Sequence, residues 1–226
     1  MERKACLADS KPRFALLLTK ERLVSILETI KKVFTGDEKP DRQEASTPSK
    51  PTPLSEETYI AAIEAQRAEK DSYFRRDPYG PIEDRTNFTG LSYYPPNPAF
   101  RFSLPLQRSE PEPLTFQTST GDERVYQRIG TVEFEVEGQP AKLAIYKSED
   151  YDELFLPFRD ATSGVETYGA GRYLEPVELG SGELLLDFNL AYNPYCAYSE
   201  AYSCPLPPVE NWLKVPIQAG EKIYKK

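Results

Sequence analysis

From residue 88 onward the chain consists of short apolar stretches separated by Gly, Pro, Asn and Asp, with no helical periodicity. The stretches are FRFSL, LTFQTS, RVYQRIG, TVEFEVE, AKLAIYK, LFLPF, GRYLEP, ELLLDFN and WLKVPI. Short runs bounded by turn-forming residues are typical of β-strands. Many strands with no helices between them predict a mainly β, antiparallel domain that is either closed as a barrel or folded as a sandwich.

Two of these stretches predict a hairpin. In TVEFEVE, residues 131–137, apolar residues alternate with glutamates, which is typical of a strand with one buried face and one solvated face. The turn sequence EGQP follows, and AKLAIYK then continues the apolar alternation. We therefore expect residues 131–147 to form two adjacent antiparallel strands.

One helix is predicted to precede the strands. Ser55 followed by Glu56 and Glu57 indicates a helix start, because a serine side chain caps the first turn and acids favour the positive end of the helix dipole. One side of this helix carries apolar residues together with Arg67 and either Lys70 or Asp71. Such polar residues form either a solvated edge or an approach to a pocket, and the pattern leaves both open.

Three parts are predicted along the chain: an N-terminal helical extension (1–34), a flexible linker (35–55) and a single β-rich domain (56–226). Residues 21–34 have apolar side chains at helical spacing, so this helix is expected to pack on the domain or on a partner chain. The linker segment is polar, contains prolines and shows no period.

The composition excludes several functions. The 36 acidic residues against 28 basic ones give a net charge of −8, which argues against binding to nucleic acid. The chain contains no histidine, so catalytic triads, His-ligated zinc and a histidine base are all ruled out. The longest apolar run near the N-terminus, FALLL, is too short to span a membrane, and no secretion signal is evident. We therefore expect a soluble cytoplasmic protein.

Two segments concentrate directional polar side chains. In the first, Arg159 and Asp160 directly follow the buried strand LFLPF, and Glu166, Tyr168 and Arg172 come next. Polar groups at the end of a buried strand are placed at the rim of a sheet, where ligand sites are common. The glycines at 169 and 171 do not fit a dinucleotide-binding fingerprint, and the sequence predicts no cofactor.

The second segment follows the strand ELLLDFN. Asp187 and Asn189 lie two residues apart at its end, which places them on one face of a strand, and Tyr192 and Asn193 follow. The polar residues of both segments either line a ligand pocket or form internal ion pairs that hold the loops in place.

Cys196 and Cys204 allow three interpretations: a disulfide, two metal ligands or free thiols. A zinc site would need two further ligands, and without histidine these would have to be carboxylates. No metal site is therefore predicted.

The segments LFLPFRDATSGVETYGAGRYL and LDFNLAYNPYCAYSEAYSCPLPPVEN, together with the closing AGEK, resemble the domain of unknown function 1684 family. The resemblance extends over roughly residues 56–224. It implies no established activity, but it implies that the polar residues of both segments belong to one signature, which favours a pocket.

The sequence thus predicts a domain that binds a small polar or anionic molecule. The residues expected to contact it are Arg159, Asp160, Tyr168, Arg172, Asn189, Tyr192 and Asn193. Asp187 or Glu166 is the candidate general base if the domain is a carboxylate-dependent hydrolase. The alternative is a structural or interaction protein whose polar residues form an internal network.

Overall fold

The computed structural model describes residues 4–5, 55–148, 153–179 and 182–224. These residues form a mainly β domain with antiparallel sheets and an N-terminal helix, which confirms the predicted fold class. The predicted helix at residues 21–34 lies outside the described residues, as does the predicted linker apart from Ser55.

The helix, α1, spans Glu56–Arg76 and begins where the sequence predicts. The Ser55 hydroxyl accepts a hydrogen bond from the Thr58 backbone N–H at 3.2 Å, so a side chain satisfies one of the free donors of the first turn. Its buried residues are Tyr59, Ile63, Lys70 and Phe74. The inner face of α1 therefore carries a lysine into the protein rather than to a solvated edge.

Ten strands are present in the described residues. In chain order they are β1 (Lys4–Ala5), β2 (Arg101–Pro105), β3 (Gln107–Gln117), β4 (Glu123–Val136), β5 (Gln139–Ser148), β6 (Leu154–Phe158), β7 (Arg172–Leu174), β8 (Val177–Glu178), β9 (Glu183–Asp187) and β10 (Tyr202–Ser203).

Two antiparallel sheets make up the domain. The larger has the strand order β3-β4-β5-β6-β7 and the smaller the order β2-β9-β8, while β1 pairs with β10 in parallel. Strands β3 and β7 do not pair with each other, so the larger sheet is open and the barrel alternative is wrong. Pro111 and Pro113 in β3 suit an edge strand, because proline has no N–H to donate to a further neighbour.

The predicted hairpin is formed by β4 and β5, with Val132 opposite Leu143 and Phe134 opposite Ala141. The turn residues Glu137 and Gly138 both have positive φ, at 51° and 76°. Positive φ at both central positions is the conformation that two-residue hairpins favour.

The apolar faces of the two sheets share one core. Phe102 of β2 lies with its ring 5.0 Å from that of Phe134 in β4, and Phe134 lies 5.6 Å from Phe188 just after β9. Burial of a large apolar side chain contributes about 1.5–3 kcal/mol, so these sheets are stable only when packed together. A second core, rich in tyrosine, lies beneath the end of α1 around Phe74.

The sequence WLKVPI is not a strand. Its only ladder contact in the described residues is a single bridge between Trp212 and Arg159, and its backbone bonds instead to the loop after β6, with Ala161 N–H donating to Val215 at 3.1 Å. Pro216 interrupts the stretch and cannot donate to a ladder.

The chain ends in an extended segment, residues 217–223, which we name the C-terminal strap. Its backbone is hydrogen-bonded to three separate loops, at Ser92 and Tyr94, at Glu166 and at Ala191, with distances between 2.8 and 3.0 Å. The strap therefore joins the two polar segments of the sequence. None of the helical segments in the described ranges has the length and apolarity needed to cross a membrane.

Candidate functional site

The polar residues singled out in the sequence fall into several separate groups. Asp160 and Arg172 form one, Asn193 belongs to a second, and Asp187 with Asn189 forms a third. Arg159, Glu166, Tyr168 and Tyr192 each have other neighbours. The question is which group presents chemistry that a ligand could reach.

Asp160 and Arg172 form the first group, the buried clamp. The Arg172 side chain is 0% exposed and lies 3.5 Å from Asp160, which is 1% exposed. Its Nη2 donates to the Ile217 carbonyl at 2.8 Å, and its Nη1 donates to the carbonyls of Ala219 and Glu221. Burial lowers the pKa of Arg172, while the negative charge of Asp160 raises it. The clamp therefore fixes the C-terminal strap from within.

Asp160 has no acceptor capacity left for a ligand. Its Oδ2 accepts from the Ile217 N–H at 2.7 Å and from the Thr162 hydroxyl at 2.8 Å. Its Oδ1 accepts from the Ser163 hydroxyl at 3.1 Å as well as from Arg172. The carboxylate thus holds the turn after β6 against the strap.

Lys70, Asn193, Tyr198 and Glu221 form the second group, the lysine cluster. Lys70 Nζ lies 2.7 Å from Glu221 Oε2, with side-chain exposures of 9% and 1%. Glu221 also accepts from the Asn193 backbone at 3.1 Å, from its amide at 2.9 Å, and from the Tyr198 hydroxyl. The paired charges and the hydrogen bonds to Glu221 make this group a link between α1 and the strap.

Tyr192 lies beside the lysine cluster. Its ring centroid is 5.3 Å from Lys70 Nζ, a cation–π contact, and its hydroxyl donates to Glu175 at 2.8 Å. Its side chain therefore supports the buried lysine.

Tyr59, Arg101, Asp187 and Asn189 form the third group, the acid site. The Tyr59 hydroxyl lies 2.9 Å from both Asp187 oxygens and donates to them. The Asn189 backbone and side-chain amides each donate to Oδ1 at 3.1 Å, and Arg101 Nε lies 3.5 Å from Oδ2. Oδ2 is therefore the oxygen with spare acceptor capacity, and it faces the arginine.

The backbone explains how Asp187 and Asn189 come together. Asp187 ends β9, and a short 3-10 turn at Phe188–Leu190 begins there, with Asp187 as its cap. The capping hydrogen bond to the Asn189 N–H brings both side chains to one place. Asn189 in turn holds the loop before β2, because its Oδ1 accepts from the Asn97 N–H at 2.8 Å.

The electrostatics of the acid site are unusual for an aspartate. Burial raises the pKa of the Asp187 carboxyl above its ordinary value, while hydrogen bonds from Asn189 and Tyr59 and the positive charge of Arg101 lower it. Burial, with the charge of Asp187 second, raises the pKa of Tyr59 well above its ordinary range, so Tyr59 remains a donor. Arg101 is 44% exposed and Asp187 is 7% exposed. The site thus places a buried acid behind an accessible cation.

Glu166 lies at the surface beside the strap. Its carboxylate is 3.5 Å from Lys222 Nζ, and both side chains are partly exposed. Lys222 Nζ also lies 4.7 Å from the ring of Tyr94. Burial raises the pKa of Tyr94 to about 12, and the negative charge of Glu166 adds to the rise.

Tyr168 and Arg159 have aromatic or sulfur neighbours. The Tyr168 hydroxyl donates to Cys196 Sγ at 3.7 Å. Arg159 lies over the ring of Trp212, with its guanidinium carbon 4.5 Å from the ring centroid, and Trp212 is 47% exposed. Neither residue is hydrogen-bonded to the acid site.

The structure decides between some of the interpretations of Cys196 and Cys204. Cys196 is a free thiol, so a disulfide joining it to Cys204 is not formed. Burial raises the pKa of the Cys196 thiol, which reduces its reactivity. In the ranges the structure covers, no cluster of three or more Cys, Asp or Glu side chains is arranged to hold a metal ion.

Four important residues were not among the predicted site residues: Tyr59, Arg101, Lys70 and Glu221. Lys70 had a signal, since it interrupts the apolar side of α1, but the pattern could not say whether it was buried. Arg101 lies directly opposite Asp187 in the β2–β9 ladder, a register that only strand pairing reveals. Glu221 belongs to the AGEK motif, yet its charge is neutralised from 151 residues away by Lys70.

Comparison with known proteins agrees with this architecture. The family model described as "Protein of unknown function (DUF1684)" matches residues 86–222, which is more than half of the chain. The match leaves out α1, which nevertheless supplies Tyr59 and Lys70 to two of the polar groups.

A solved structure is also similar. It is the solution NMR structure of the uncharacterised protein from gene locus rrnAC0354 of Haloarcula marismortui, which is 38% identical with a TM-score of 0.57. The alignment covers 74% of this chain and 95% of that one. Among curated proteins, none matches the chain. From the family model, the shared sequence and the shared fold, we conclude that the chain belongs to the DUF1684 family.

Proposed function

We propose that this domain binds a small anionic molecule at the acid site, with Arg101 as the residue that contacts it. The supporting observation is the asymmetry of the Arg101–Asp187 pair, in which the cation is 44% exposed and its carboxylate partner only 7%. The guanidinium of such an arginine is open to solvent, while its buried carboxylate partner holds it in one orientation. Guanidinium groups held in this way suit carboxylate and phosphate oxygens.

The donors of Arg101 support the proposal. Among the described residues its one ion-pair partner is Asp187, whose Oδ2 lies 3.5 Å from Arg101 Nε. The guanidinium carbon also lies 5.6 Å from the ring centroid of Tyr59, which restricts its motion. Holding a donor in place before binding reduces the entropy lost when a ligand arrives.

Asp187 is the residue in this site that can exchange a proton. Its raised pKa lies closer to neutral pH than that of an ordinary aspartate, which is the property that a general acid or base requires. If the bound molecule reacts, we assign the proton transfer to Asp187. Asn189 and Tyr59 would hold its carboxyl group in position.

The other signature residues support the site in this proposal. Asp160 and Arg172 hold the strap, and the Asn193 amide donates a hydrogen bond to Glu221. Arg159, Glu166, Tyr168 and Tyr192 are assigned no contact with the ligand.

The proposal is tested by NMR titration of the isotope-labelled full chain with acetate, sulfate and inorganic phosphate at constant ionic strength. We expect signals of Arg101 and Asn189 to shift with saturation. Arg101→Gln should weaken binding by tenfold or more, because charge-assisted hydrogen bonds contribute about 1.5–3 kcal/mol.

Arg108→Gln is the matched control. Arg108 is also a strand arginine paired with a carboxylate, Glu178 at 2.8 Å, but both side chains are well exposed. This variant removes the same charge and should leave affinity within about twofold, as expected for a screened surface charge. Equal weakening by both variants would show diffuse attraction to the whole surface and would contradict the proposal.

A purely structural or interaction role is the second candidate, and the buried clamp favours it. Arg172 is fully buried, and its hydrogen bonds within the described residues go to Asp160 and the strap, as expected for an internal network. If no small anion binds and Arg172→Ala only lowers the free energy of unfolding, this second function is the better one.

A further inference from the structure

The acid site places a buried carboxylate beside a cation that is open to solvent. Arg101 and Asp187 face each other across the β2–β9 ladder, and Oδ2 of the carboxylate points at the guanidinium. An anion arriving from solvent approaches Arg101 with the charge of Asp187 directly behind. Two negative charges then share one cation, and the buried one has little solvent to stabilise it.

Among the residues that the structure describes, no second cation lies at hydrogen-bonding distance from Asp187. The titratable groups near it are Tyr59 and Arg67 from α1 and Arg101 from β2. Arg67 is engaged elsewhere, because its Nη1 donates to the Tyr94 carbonyl at 2.8 Å and its Nη2 to the Asn189 carbonyl at 3.3 Å. Neutralising the second negative charge therefore falls to a proton.

The hydrogen bonds show which oxygen can accept that proton. Oδ1 accepts from the two Asn189 donors. Among the described residues, the contacts of Oδ2 are the Tyr59 hydroxyl, which it shares with Oδ1, and Arg101 at 3.5 Å. A proton on Oδ2 would point toward the space beside Arg101. It could then donate to an oxygen atom of the bound anion.

We propose that the acid site binds its anion together with one proton, taken up by Asp187 Oδ2. This inference rests on the proposed function. The proton comes from solvent, no covalent bond to carbon or phosphorus changes, and the bound state contains neutral Asp187, cationic Arg101 and the anion. The ligand class is an oxyanion, such as a carboxylate or a phosphate ester, because an oxygen atom is needed to accept the Oδ2–H hydrogen bond.

The test uses sodium methanesulfonate, a monoanionic oxyanion that does not titrate between pH 4 and 8. Calorimetric titration of the full chain at several pH values, in buffers of different ionisation enthalpy, counts the protons taken up. We expect one proton per bound anion above the pKa of Asp187, with affinity falling up to tenfold per pH unit there.

Asp187→Asn mimics the protonated state. It should bind methanesulfonate at pH 8 about as tightly as wild type does at low pH, with no proton uptake. Tyr59→Phe provides a second check if the first variant folds poorly. It removes a hydrogen bond that lowers the pKa of Asp187, so the midpoint of the pH dependence should move upward.

The outcomes separate this inference from the proposed function. Binding that depends on Arg101 but is independent of pH and releases or takes up no proton would overturn the proton coupling and leave the anion site intact. No binding at any pH, in wild type and in Asp187→Asn, would overturn both.

Discussion

Two arginine–aspartate pairs in this protein have the same 3.5 Å separation and opposite environments. Arg172 and Asp160 are 0% and 1% exposed, whereas Arg101 and Asp187 are 44% and 7% exposed. In the first pair both charges are committed to internal partners. In the second the carboxylate is buried and the cation is not, and that imbalance is the basis of the proposed anion site.

The comparison shows why residue type alone does not identify a site. Both pairs belong to strand ends, and both join segments distant in sequence. The two pairs differ in how far their charged groups remain open to solvent after folding. The buried clamp uses its groups to hold the strap, while in the acid site the Arg101 side chain remains 44% exposed.

The largest expected effect is that of Arg172→Ala. Removing this side chain leaves the Asp160 carboxylate and three strap carbonyls buried without their donor, so we expect a loss of about 3–5 kcal/mol in the free energy of unfolding. Urea denaturation measures it. A loss below about 1 kcal/mol would mean that the clamp is not a structural element.

Gly220→Ala tests the junction between the two regions. Gly220 has φ +76°, and a Cβ there would lie 2.6 Å from the carbonyl oxygens of Phe188 and Ala191, beside the acid site. The backbone conformation alone costs about 1–2 kcal/mol for alanine, and the overlap adds to it. Thermal unfolding should show a clear decrease in Tm.

Gly121→Ala is the matched control for this change. Gly121 has a similar φ of +86° and nothing within 4 Å of an added Cβ. It should show the conformational cost alone. If both variants lose the same stability, the strap is free to move and does not couple the regions.

Tyr59→Phe should have an intermediate effect. It removes the hydroxyl that donates to both Asp187 oxygens, and a lost buried hydrogen bond costs about 1–3 kcal/mol. Tyr79→Phe, at a residue that is 78% exposed, is the control and should be nearly neutral. A stability loss as small as that of the control would show that Tyr59 does not hold Asp187.

The pH dependence of stability should reveal Asp187 directly. Because its pKa is raised in the folded state, the folded protein binds more protons than the unfolded one between the unfolded value, about 3.9, and the folded value. Its contribution to stability therefore falls as the pH rises through that window. The difference in unfolding free energy between wild type and Asp187→Asn should decrease from about pH 4 upward, and a flat difference would contradict the raised pKa.

The smallest effect on stability is expected for Arg101→Ala. A half-exposed ion pair contributes about 0.2–1 kcal/mol, far less than the clamp. The same substitution should nonetheless have the greatest effect on anion binding. A stability loss equal to that of Arg172→Ala would show that the two pairs have the same role.

Much of the fold follows from local pattern. The hairpin of β4 and β5 is specified by the alternation of residues 131–137 and by the turn at Glu137–Gly138. The helix start follows from Ser55 and its acidic neighbours. The prediction of a strand at WLKVPI is wrong because the apolar content of this stretch is typical of a strand, whereas its backbone is hydrogen-bonded to a loop.

The site was predictable only in part. Asp187 and Asn189 do share one place, although the cap of a 3-10 turn brings them together rather than strand alternation. Arg172 and Asp160 are paired, as one interpretation allowed. Tyr59 could not be found from sequence, because 128 residues separate it from the carboxylate it contacts.

By itself the sequence determined the residue chemistry, the β-rich class and the family, since these depend on composition, short-range periodicity and contiguous motifs. Only the tertiary structure decided which polar residue meets which, because partners such as Lys70 and Glu221 are joined by the packing of α1 against the strap. It also decided which charge remains exposed. Exposure depends on the whole fold around a residue, and that is why the sequence did not single out Arg101, whose side chain is 44% exposed beside a buried carboxylate.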